Sequence, residues 1–230
     1  MNSDVVNYVS DLSTYIEVLG IVKLLIIFRG QPVKGNLLPG IARRKNSVDS
    51  LEVEQKTIEQ LRLMGATFLS EEDQTTLDLL VLAQHFRLKT RLLDWTSNPL
   101  AALWFACADK NPGDVFVYAL EADALLINDA YKEDPFSRTE TGVFQPRFNN
   151  PRIVAQHGWF TLHGFSKKAG IFVPLENNAE VKKHLTVFQI PEGSRTQILD
   201  SLDIIGIGHR TLFPDLEGLC LHLNWKYQLE

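Results

Sequence analysis

A short apolar run, residues 19–28, ends directly in Arg29 and Gly30, and it sets the centre of the predicted fold. A transmembrane helix needs roughly 20 consecutive apolar residues, so a run of this length does not span a bilayer. Its content of Ile, Leu and Val is typical of a strand that is buried on both faces. The sequence therefore predicts a buried strand over residues 21–29 that delivers an arginine at its end.

The composition is that of an ordinary globular protein. Of 230 residues, 45% are hydrophobic and 22% charged, which excludes a disordered chain, a collagen-like chain and a coiled coil. The formal net charge of −5 argues against a protein that coats nucleic acid by bulk charge. Cys107 and Cys220 both lie in apolar surroundings, so we expect two buried thiols rather than a disulfide. No Cys/His metal pattern or signal peptide is recognisable, so we expect a cytoplasmic protein without a metal.

Hydrophobic periodicity predicts an α+β fold with a helical N-terminal portion. The predicted helices cover residues 1–20, 47–69, 71–86, 98–109, 179–185, 194–202 and 211–223. The predicted strands cover residues 21–29, 114–121, 153–163 (as a pair), 170–174 and 185–191, and residues 122–150 are predicted as a long loop. Because no repeat or linker divides the chain, we expect a single domain over residues 1–230.

Three polar segments carry the candidate chemistry, and the first is Phe28-Arg29-Gly30-Gln31. At the mouth of a cleft, the planar guanidinium of Arg29 suits a phosphate or a carboxylate. Gly30 lets a ligand approach the backbone closely. The alternative is a structural arginine that pairs with an acid such as Asp94, because an arginine is costly to bury alone.

The second segment, residues 84–99, is the densest in polar side chains. Thr96 or one of the next two residues can cap the helix that follows, and the backbone N–H groups at the start of that helix favour an anion. Trp95 offers a flat face for a nicotinamide or a base. The alternative interpretation is a structural ion pair between Arg91 and Asp94 beside an ordinary helix cap.

The third segment, residues 149–161, contains Gln156 and His157 on a predicted strand. Adjacent residues of a strand point to opposite faces, so we expect one of the two side chains to face a cleft. Gln156 is a candidate hydrogen-bonding ligand group, whereas a lone histidine such as His157 is more often a satisfied surface or core residue. We expect Arg29, residues 90–95 and Gln156 to lie around one cleft.

Two further charged groups carry less information. Glu52 and Glu54 lie within helical periodicity, which predicts a solvated helix face. The basic triplet of residues 43–45 is typical of a solvated loop, although its place after the Arg29 segment also suits a polyanion.

Taken together, the three segments resemble the FRG domain, a family named for a Phe-Arg-Gly motif. The matching residues are Phe28-Arg29-Gly30, Leu38-Pro39, Gln84-His85, residues 90–96, Asn98-Pro99, residues 101–106, Pro151-Arg152-Ile153, Gln156, Gly158, Phe160 and Leu212-Phe213-Pro214-Asp215. The resemblance extends over residues 25–220, and it implies one FRG-type domain.

The chain also resembles, more distantly, the ADP-ribosyltransferases of the Arg–Ser–Glu type. Arg29-Gly30 is similar to their first motif, and residues 94–97 are similar to their Ser-Thr-Ser motif. At the place of their catalytic glutamate this chain has Gln156, which can bind a ribose hydroxyl but cannot act as a base. Either His157, Asp94 or Glu140 serves instead, or the acceptor needs little activation, or the fold binds a nucleotide without turnover.

This second resemblance implies a split mixed β-sheet core that binds NAD as substrate, without a metal. The catalytic residues it implies are Arg29, Asp94 and Gln156. The implied NAD contacts are Arg29, Gly30, Gln31, Thr90, Arg91, Trp95, Thr96 and Phe160. Arg29 is expected to clamp the pyrophosphate, while Trp95 or Phe160 stacks on the nicotinamide.

The implied activity is ADP-ribosyl transfer to an intracellular macromolecule: RNA, DNA or protein. A toxin of a toxin–antitoxin or anti-phage system fits this expectation, with an antitoxin as a further partner and no membrane. The alternative is a non-catalytic module that binds a nucleotide or a protein partner. A nuclease that uses His85 and His157 as acid and base is a third interpretation.

Overall fold

A computed structural model describes residues 3–19, 25–43, 50–70 and 75–229 of the chain. The helices are α1 (Ser3–Leu19), α2 (Ser50–Met64), α3 (Thr76–His85), α4 (Pro99–Cys107), α5 (Pro151–Ala155), α6 (Ala179–Lys182), α7 (Arg195–Ile204), α8 (His209–Leu212) and α9 (Leu216–Lys226). The strands are β1 (Ile26–Gln31), β2 (Leu92–Thr96), β3 (Val115–Glu121), β4 (Gly142–Phe144), β5 (Gly158–Leu162), β6 (Phe165–Ser166), β7 (Ile171–Phe172) and β8 (Leu185–Ile190). The α+β class is confirmed. Several predictions concern residues outside the described ranges: residues 1–2, 20, 47–49 and 71–74 of the predicted helices, residues 21–24 of the predicted first strand, and residues 44–45 of the basic triplet.

Six strands form one sheet in the order β4-β5-β2-β1-β3-β8, and β6 and β7 form a separate hairpin. Every neighbouring pair in the six-stranded sheet is antiparallel. The prediction of a mixed sheet is therefore wrong. Each strand lies beside a partner that runs in the opposite direction. The path of the segments between the strands decides this direction, and no local sequence pattern specifies it.

The sheet consists of two halves that are joined at a single point. β1 and β2 share only one registered pair, Phe28 with Thr96. By contrast, β1 is paired with β3 along its whole length, and β2 with β5 along its whole length. Beyond Phe28 the two central strands separate, and the side chain of Arg29 crosses the opening to the backbone of Asp94.

Helix α4 covers one face of the sheet, and it lies unusually close to β1. A Cβ atom added to Gly30 would lie 1.9 Å from the carbonyl oxygen of Ala102 and 2.5 Å from the backbone nitrogen of Ala106. The close approach that the sequence predicts at Gly30 is therefore made on this side by α4, and the glycine is needed for packing between the helix and the strand.

Gly30→Ala is expected to destabilise the protein by about 3 kcal/mol, because the added methyl group overlaps the backbone of α4 and the helix must shift. Gly193→Ala is the matched control, since an added Cβ there has no heavy atom within 4 Å. Urea unfolding of both variants measures the difference. Equal free energies of unfolding for the two variants contradict this account of Gly30.

Residues 153–157, predicted as part of a strand, instead belong to α5 and the turn after it. The side chain of Asn150 caps this helix by accepting from the N–H of Arg152 (2.8 Å), and Pro151 stands at its first turn. The local sequence therefore specifies a helix start where apolar content had predicted a strand. Only Gly158–Leu162 is extended, as β5.

Other predicted elements need smaller corrections. The predicted loop over residues 122–150 contains β4, which is paired with β5. The predicted helix over residues 211–223 is divided into α8 and α9, because Pro214 cannot continue a helix and Asp215 caps the next one. Cys107 is buried as predicted, but Cys220 is exposed. No helix in the described ranges is long and apolar enough to cross a membrane.

Candidate functional site

A cleft of about 380 Å³ opens where β1 and β2 separate. Of the predicted site residues, those that line it are Arg29, Gly30, Gln31, Asp94, Trp95, Thr96 and Gln156. The structure thus brings three distant segments to one cleft, as predicted, whereas Thr90, Arg91 and Phe160 are not part of its lining. In the described part of the chain, no group of three or more His, Cys, Asp or Glu residues is arranged to hold a metal ion.

Arg29 projects from β1 into the opening, and its side chain is only 17% exposed. Its Nη1 donates to the backbone carbonyl of Asp94 (2.8 Å) and lies 3.9 Å from Oδ2 of the same residue. Burial lowers the pKa of Arg29 to about 10, and the Asp94 carboxylate opposes this shift. Arg29 is therefore a protonated cation at neutral pH, held in place by the opposite half of the sheet.

The carboxylate that lies next to Arg29 in the cleft is that of Asp94. Its side chain is 59% exposed, so the carboxylate is open to a ligand. Oδ2 accepts from Nε2 of Gln84 (2.9 Å), and Oε1 of Gln84 accepts in turn from the Thr90 hydroxyl (2.8 Å). Thr90 is fully buried, so it orients Asp94 through Gln84 and does not reach the cleft.

The alternative interpretation of this segment, an ion pair between Arg91 and Asp94, is wrong, because Arg91 is completely buried and bound to Glu54. Nε of Arg91 lies 2.8 Å from Oε2 of Glu54, and the backbone N–H of Arg91 donates to Oε1 (2.5 Å). Nη1 donates to the Pro135 carbonyl (2.6 Å). Burial raises the pKa of Glu54, and the Arg91 guanidinium opposes this shift. The pair anchors β2 to α2, away from the cleft.

The prediction that Glu52 and Glu54 share a solvated helix face is correct only for Glu52, whose side chain is 58% exposed. Glu54 faces the interior and is 1% exposed. The sequence does contain the signal, because Glu54 stands four residues before the buried Ile58 and so lies on the same face of α2.

Gln156 stands at the C-terminal end of α5 rather than on a strand. Its side-chain Nε2 donates to the backbone carbonyl of Leu212 (3.0 Å), and its backbone carbonyl accepts from the Thr96 hydroxyl (2.6 Å). Gln156 therefore connects β2, α5 and α8 at the wall of the cleft. His157 is exposed, has a left-handed φ of 49°, and is not part of the cleft lining.

The two aromatic rings predicted to stack on nicotinamide belong to the core. Trp95 is 3% exposed, and its Nε1 donates to the Thr161 hydroxyl (3.1 Å). Phe160 is buried and stacks on Phe144 with ring centroids 5.7 Å apart. Trp95 meets the cleft only at its edge, so neither ring offers an open face to a ligand.

The backbone N–H groups at the start of α4, which the sequence predicts as an anion site, instead donate to a side chain of the protein. Oδ1 of Asn98 accepts from the backbone N–H groups of Leu100 (3.0 Å) and Ala101 (3.3 Å). The predicted helix cap is confirmed, and it occupies the donors that the prediction assigned to an anion.

Residues 25–114 match the family model described as the FRG domain. The chain contains an FRG domain. The match begins before β1 and ends at β3, so it includes Arg29, Gly30 and Asp94. No curated protein and no solved structure matches the chain. That the FRG domain continues through Gln156 to the end of the chain stays a prediction.

Outside the matched segment of the FRG domain, the residues that line the cleft are Gln156 and Phe213. Arg152 forms ion pairs with Asp215 (2.5 Å) and Glu217 (2.6 Å), and its guanidinium lies over the Phe213 ring (5.2 Å). The late motifs that the sequence analysis singled out thus bind each other, and they hold Phe213 at the cleft.

The aromatic surface of the cleft is formed by Phe105 and Phe213, which sequence reasoning did not assign to the site. Their rings meet edge to face at 6.0 Å. Phe105 lies within the segment that matches the FRG domain and Phe213 lies outside it, and the sequence pattern does not show that their side chains meet. This contact depends on α4 and the turn between α8 and α9 lying side by side.

Behind the cleft, His163 is completely buried, and Nε2 lies 3.2 Å from the Thr161 hydroxyl. Burial lowers the pKa of His163 to about 3, and the nearby charges of Arg29 and Arg91 add to the effect. His163 is therefore neutral at physiological pH and adds no charge behind Arg29.

Proposed function

We propose that the cleft binds NAD and that the protein transfers ADP-ribose from NAD to a macromolecular acceptor, either a nucleic acid or a protein. The observation that carries the proposal is the convergence of Arg29, Asp94 and Gln156 on one cleft at the point where the sheet divides. β1 continues two residues beyond Arg29, so the prediction that the strand ends at this arginine is wrong. The arrangement of Arg29 beside a second strand that ends at Thr96, with Ser97 next, supports the resemblance to ADP-ribosyltransferases.

Each wall of the cleft suits a different part of NAD. The charged guanidinium of Arg29 suits the pyrophosphate. Phe105 and Phe213 offer aromatic surface to a ring of the ligand, in place of the predicted Trp95 and Phe160. Oε1 of Gln156 can accept from a ribose hydroxyl, while Nε2 already donates to the Leu212 carbonyl.

Asp94 takes the role that Gln156 cannot perform. The bond between the ribose C1′ and the nicotinamide nitrogen breaks, and its electron pair leaves with nicotinamide. The positive charge that develops on the ribose is then stabilised by the adjacent carboxylate. The acceptor attacks C1′, and Asp94 takes the proton that the acceptor loses. His157 and Glu140, the other candidates for this role, are exposed and outside the cleft lining.

A non-catalytic nucleotide-binding module is the second candidate function. It is favoured by the fact that Nη1 of Arg29 and Nε2 of Gln156 are both bound to backbone carbonyls, which gives each side chain a structural role. The role as a toxin of a toxin–antitoxin or anti-phage system, and the cytoplasmic location, stay predictions.

NAD at a concentration of about 100 times its dissociation constant is expected to raise the free energy of unfolding by about 2.7 kcal/mol. Arg29→Ala is expected to remove this effect, because the variant lacks the guanidinium that faces the pyrophosphate. Arg87→Ala removes the same charge from a side chain that is 83% exposed and outside the cleft lining, and should keep the full effect. Thermal unfolding with and without NAD measures both.

Incubation with adenylate-labelled NAD and total cell lysate then separates the two candidate functions. A transferase puts label into protein or nucleic acid, whereas a binding module shows the stabilisation alone. The NAD site is contradicted if NAD stabilises wild type and Arg29→Ala equally. It is also contradicted if NAD does not stabilise the wild type.

A further inference from the structure

A second guanidinium, that of Arg43, lines the cleft. Arg43 ends the 3₁₀ helix Gly40–Arg43, and its side chain lines the same cleft as Arg29. Its Nε donates to the carbonyl of Leu38 (3.0 Å) and Nη2 to that of Asn36 (3.5 Å). Within the described ranges Arg43 forms no ion pair with a carboxylate. Arg43 is thus oriented by backbone carbonyls, and its charge is not neutralised by them.

The segment that carries Arg43, residues 32–43, is fastened to the domain at several points, and we call it the strap. Nε2 of Gln31 donates to the Gly35 carbonyl (2.6 Å), and the N–H of Gly35 donates to the Tyr118 hydroxyl (2.5 Å). The Glu176 carboxylate accepts from two further N–H groups of the strap. A segment held in this way presents its arginine with little conformational entropy left to lose on binding.

Two arginines and two aspartates line the cleft: Arg29 and Arg43, with Asp94 and Asp109. Burial lowers the pKa of Arg29, and the neighbouring charge of Arg43 lowers it further, so the two guanidinium groups repel each other. Asp94 is 3.9 Å from Arg29 and largely exposed. The carboxylate of Asp109, on another wall, accepts from the backbone and side chain of Asn111. An anion between the two arginines relieves this repulsion.

We propose that Arg29 and Arg43 together hold the two phosphates of a nucleoside diphosphate group, and that Arg43 selects a diphosphate over a single phosphate. The inference rests on the proposed function, because it takes this cleft as the nucleotide site. The size of the cleft, about 380 Å³, exceeds what a lone phosphate fills, and Phe105 and Phe213 provide a surface for the attached base.

Calorimetric titration with ADP, AMP and inorganic pyrophosphate tests the role of Arg43. Wild type is expected to bind ADP at least about tenfold more tightly than AMP, since the second phosphate gains a charged hydrogen bond. Arg43→Ala is expected to weaken the binding of ADP about 10- to 100-fold and to leave the affinity for AMP almost unchanged. Arg43→Lys keeps the charge without the planar fork, so we expect an intermediate loss. Arg87→Ala, with an exposed arginine outside the cleft, is expected to bind as wild type.

ADP affinity that is unchanged in Arg43→Ala overturns the inference, and so does a wild type that binds AMP as tightly as ADP. Labelling from NAD is a separate measurement. Labelling together with Arg43-independent ADP binding refutes the inference and leaves the transferase proposal standing. Arg43-dependent ADP binding without labelling refutes the transferase and supports the inference. A wild type that binds none of the three ligands overturns the inference, and labelling then decides the proposed function.

Discussion

Asp94→Asn is expected to lower the rate of NAD-dependent labelling about 100-fold or more, while the melting temperature changes little. The variant removes the carboxylate that we place beside the developing positive charge and keeps the shape of the side chain. Stability is expected to hold because Arg29 donates to the backbone carbonyl of Asp94, which the substitution leaves in place. The side-chain ion pair between Arg29 and Asp94 is long, at 3.9 Å, and its Asp94 end is 59% exposed, so we expect it to contribute about 1 kcal/mol or less.

Asp109→Asn is the matched control for Asp94→Asn. Asp109 also lines the cleft, but it belongs to the turn after α4, where its carboxylate oxygen accepts from Asn111. We expect this variant to keep most of the labelling rate. Single-turnover labelling of the two variants, with their melting temperatures, gives the comparison. An Asp94→Asn variant that labels at the wild-type rate removes Asp94 from the chemistry.

Glu54→Ala is expected to destabilise the protein by about 3 to 5 kcal/mol, because it leaves the guanidinium of Arg91 buried without a counter-charge. Both side chains are almost fully inaccessible to solvent, so water cannot replace the lost carboxylate. The backbone N–H of Arg91 also loses its acceptor. A loss of this size is a large part of the stability of a typical domain. Urea unfolding followed by tryptophan fluorescence measures it.

Two further variants test the cause of this loss. Glu52→Ala removes an exposed carboxylate of the same helix that pairs with Lys56, and it is expected to cost no more than about 0.5 kcal/mol. The double variant Glu54→Met with Arg91→Met removes both charges, and it is expected to recover most of the stability. A loss below about 1 kcal/mol for Glu54→Ala would show that the buried pair is not a major support of the fold.

Local signals in the sequence are enough to specify several elements of the fold. Residues 26–28 of the apolar run that leads to Arg29 begin β1, and the Asn-Pro sequence at residues 98–99 starts α4 with its predicted cap. Both depend on the residues in place and their immediate neighbours, so the sequence contains the necessary information. The alternative interpretation of Arg29, a pairing with an acid such as Asp94, agrees with the contact in the structure, although no local signal specifies it.

The sequence alone also indicated that Arg29, Asp94 and Gln156 lie around one cleft. Polar residues at the ends of apolar segments are costly to bury without partners, and grouping them in one opening is the simplest way to satisfy them. Only the tertiary structure decided how each one is used. Nothing in the spacing of Gln156 shows that its amide donates to Leu212, because the two residues are brought together by packing of α5 against α8.

Partners that are distant in sequence were decided by the tertiary structure throughout. Arg91, which directly precedes β2, is paired with Glu54 rather than Asp94 because the fold buries Arg91 and Glu54 together and leaves the Asp94 carboxylate exposed. Gly30 faces a helix rather than only a ligand because α4 lies against β1. The sequence by itself determined which segments form the core and where the polar groups stand along it. The choice among charged partners required the tertiary structure, since a charge is stable in the interior only beside the group that long-range packing places there.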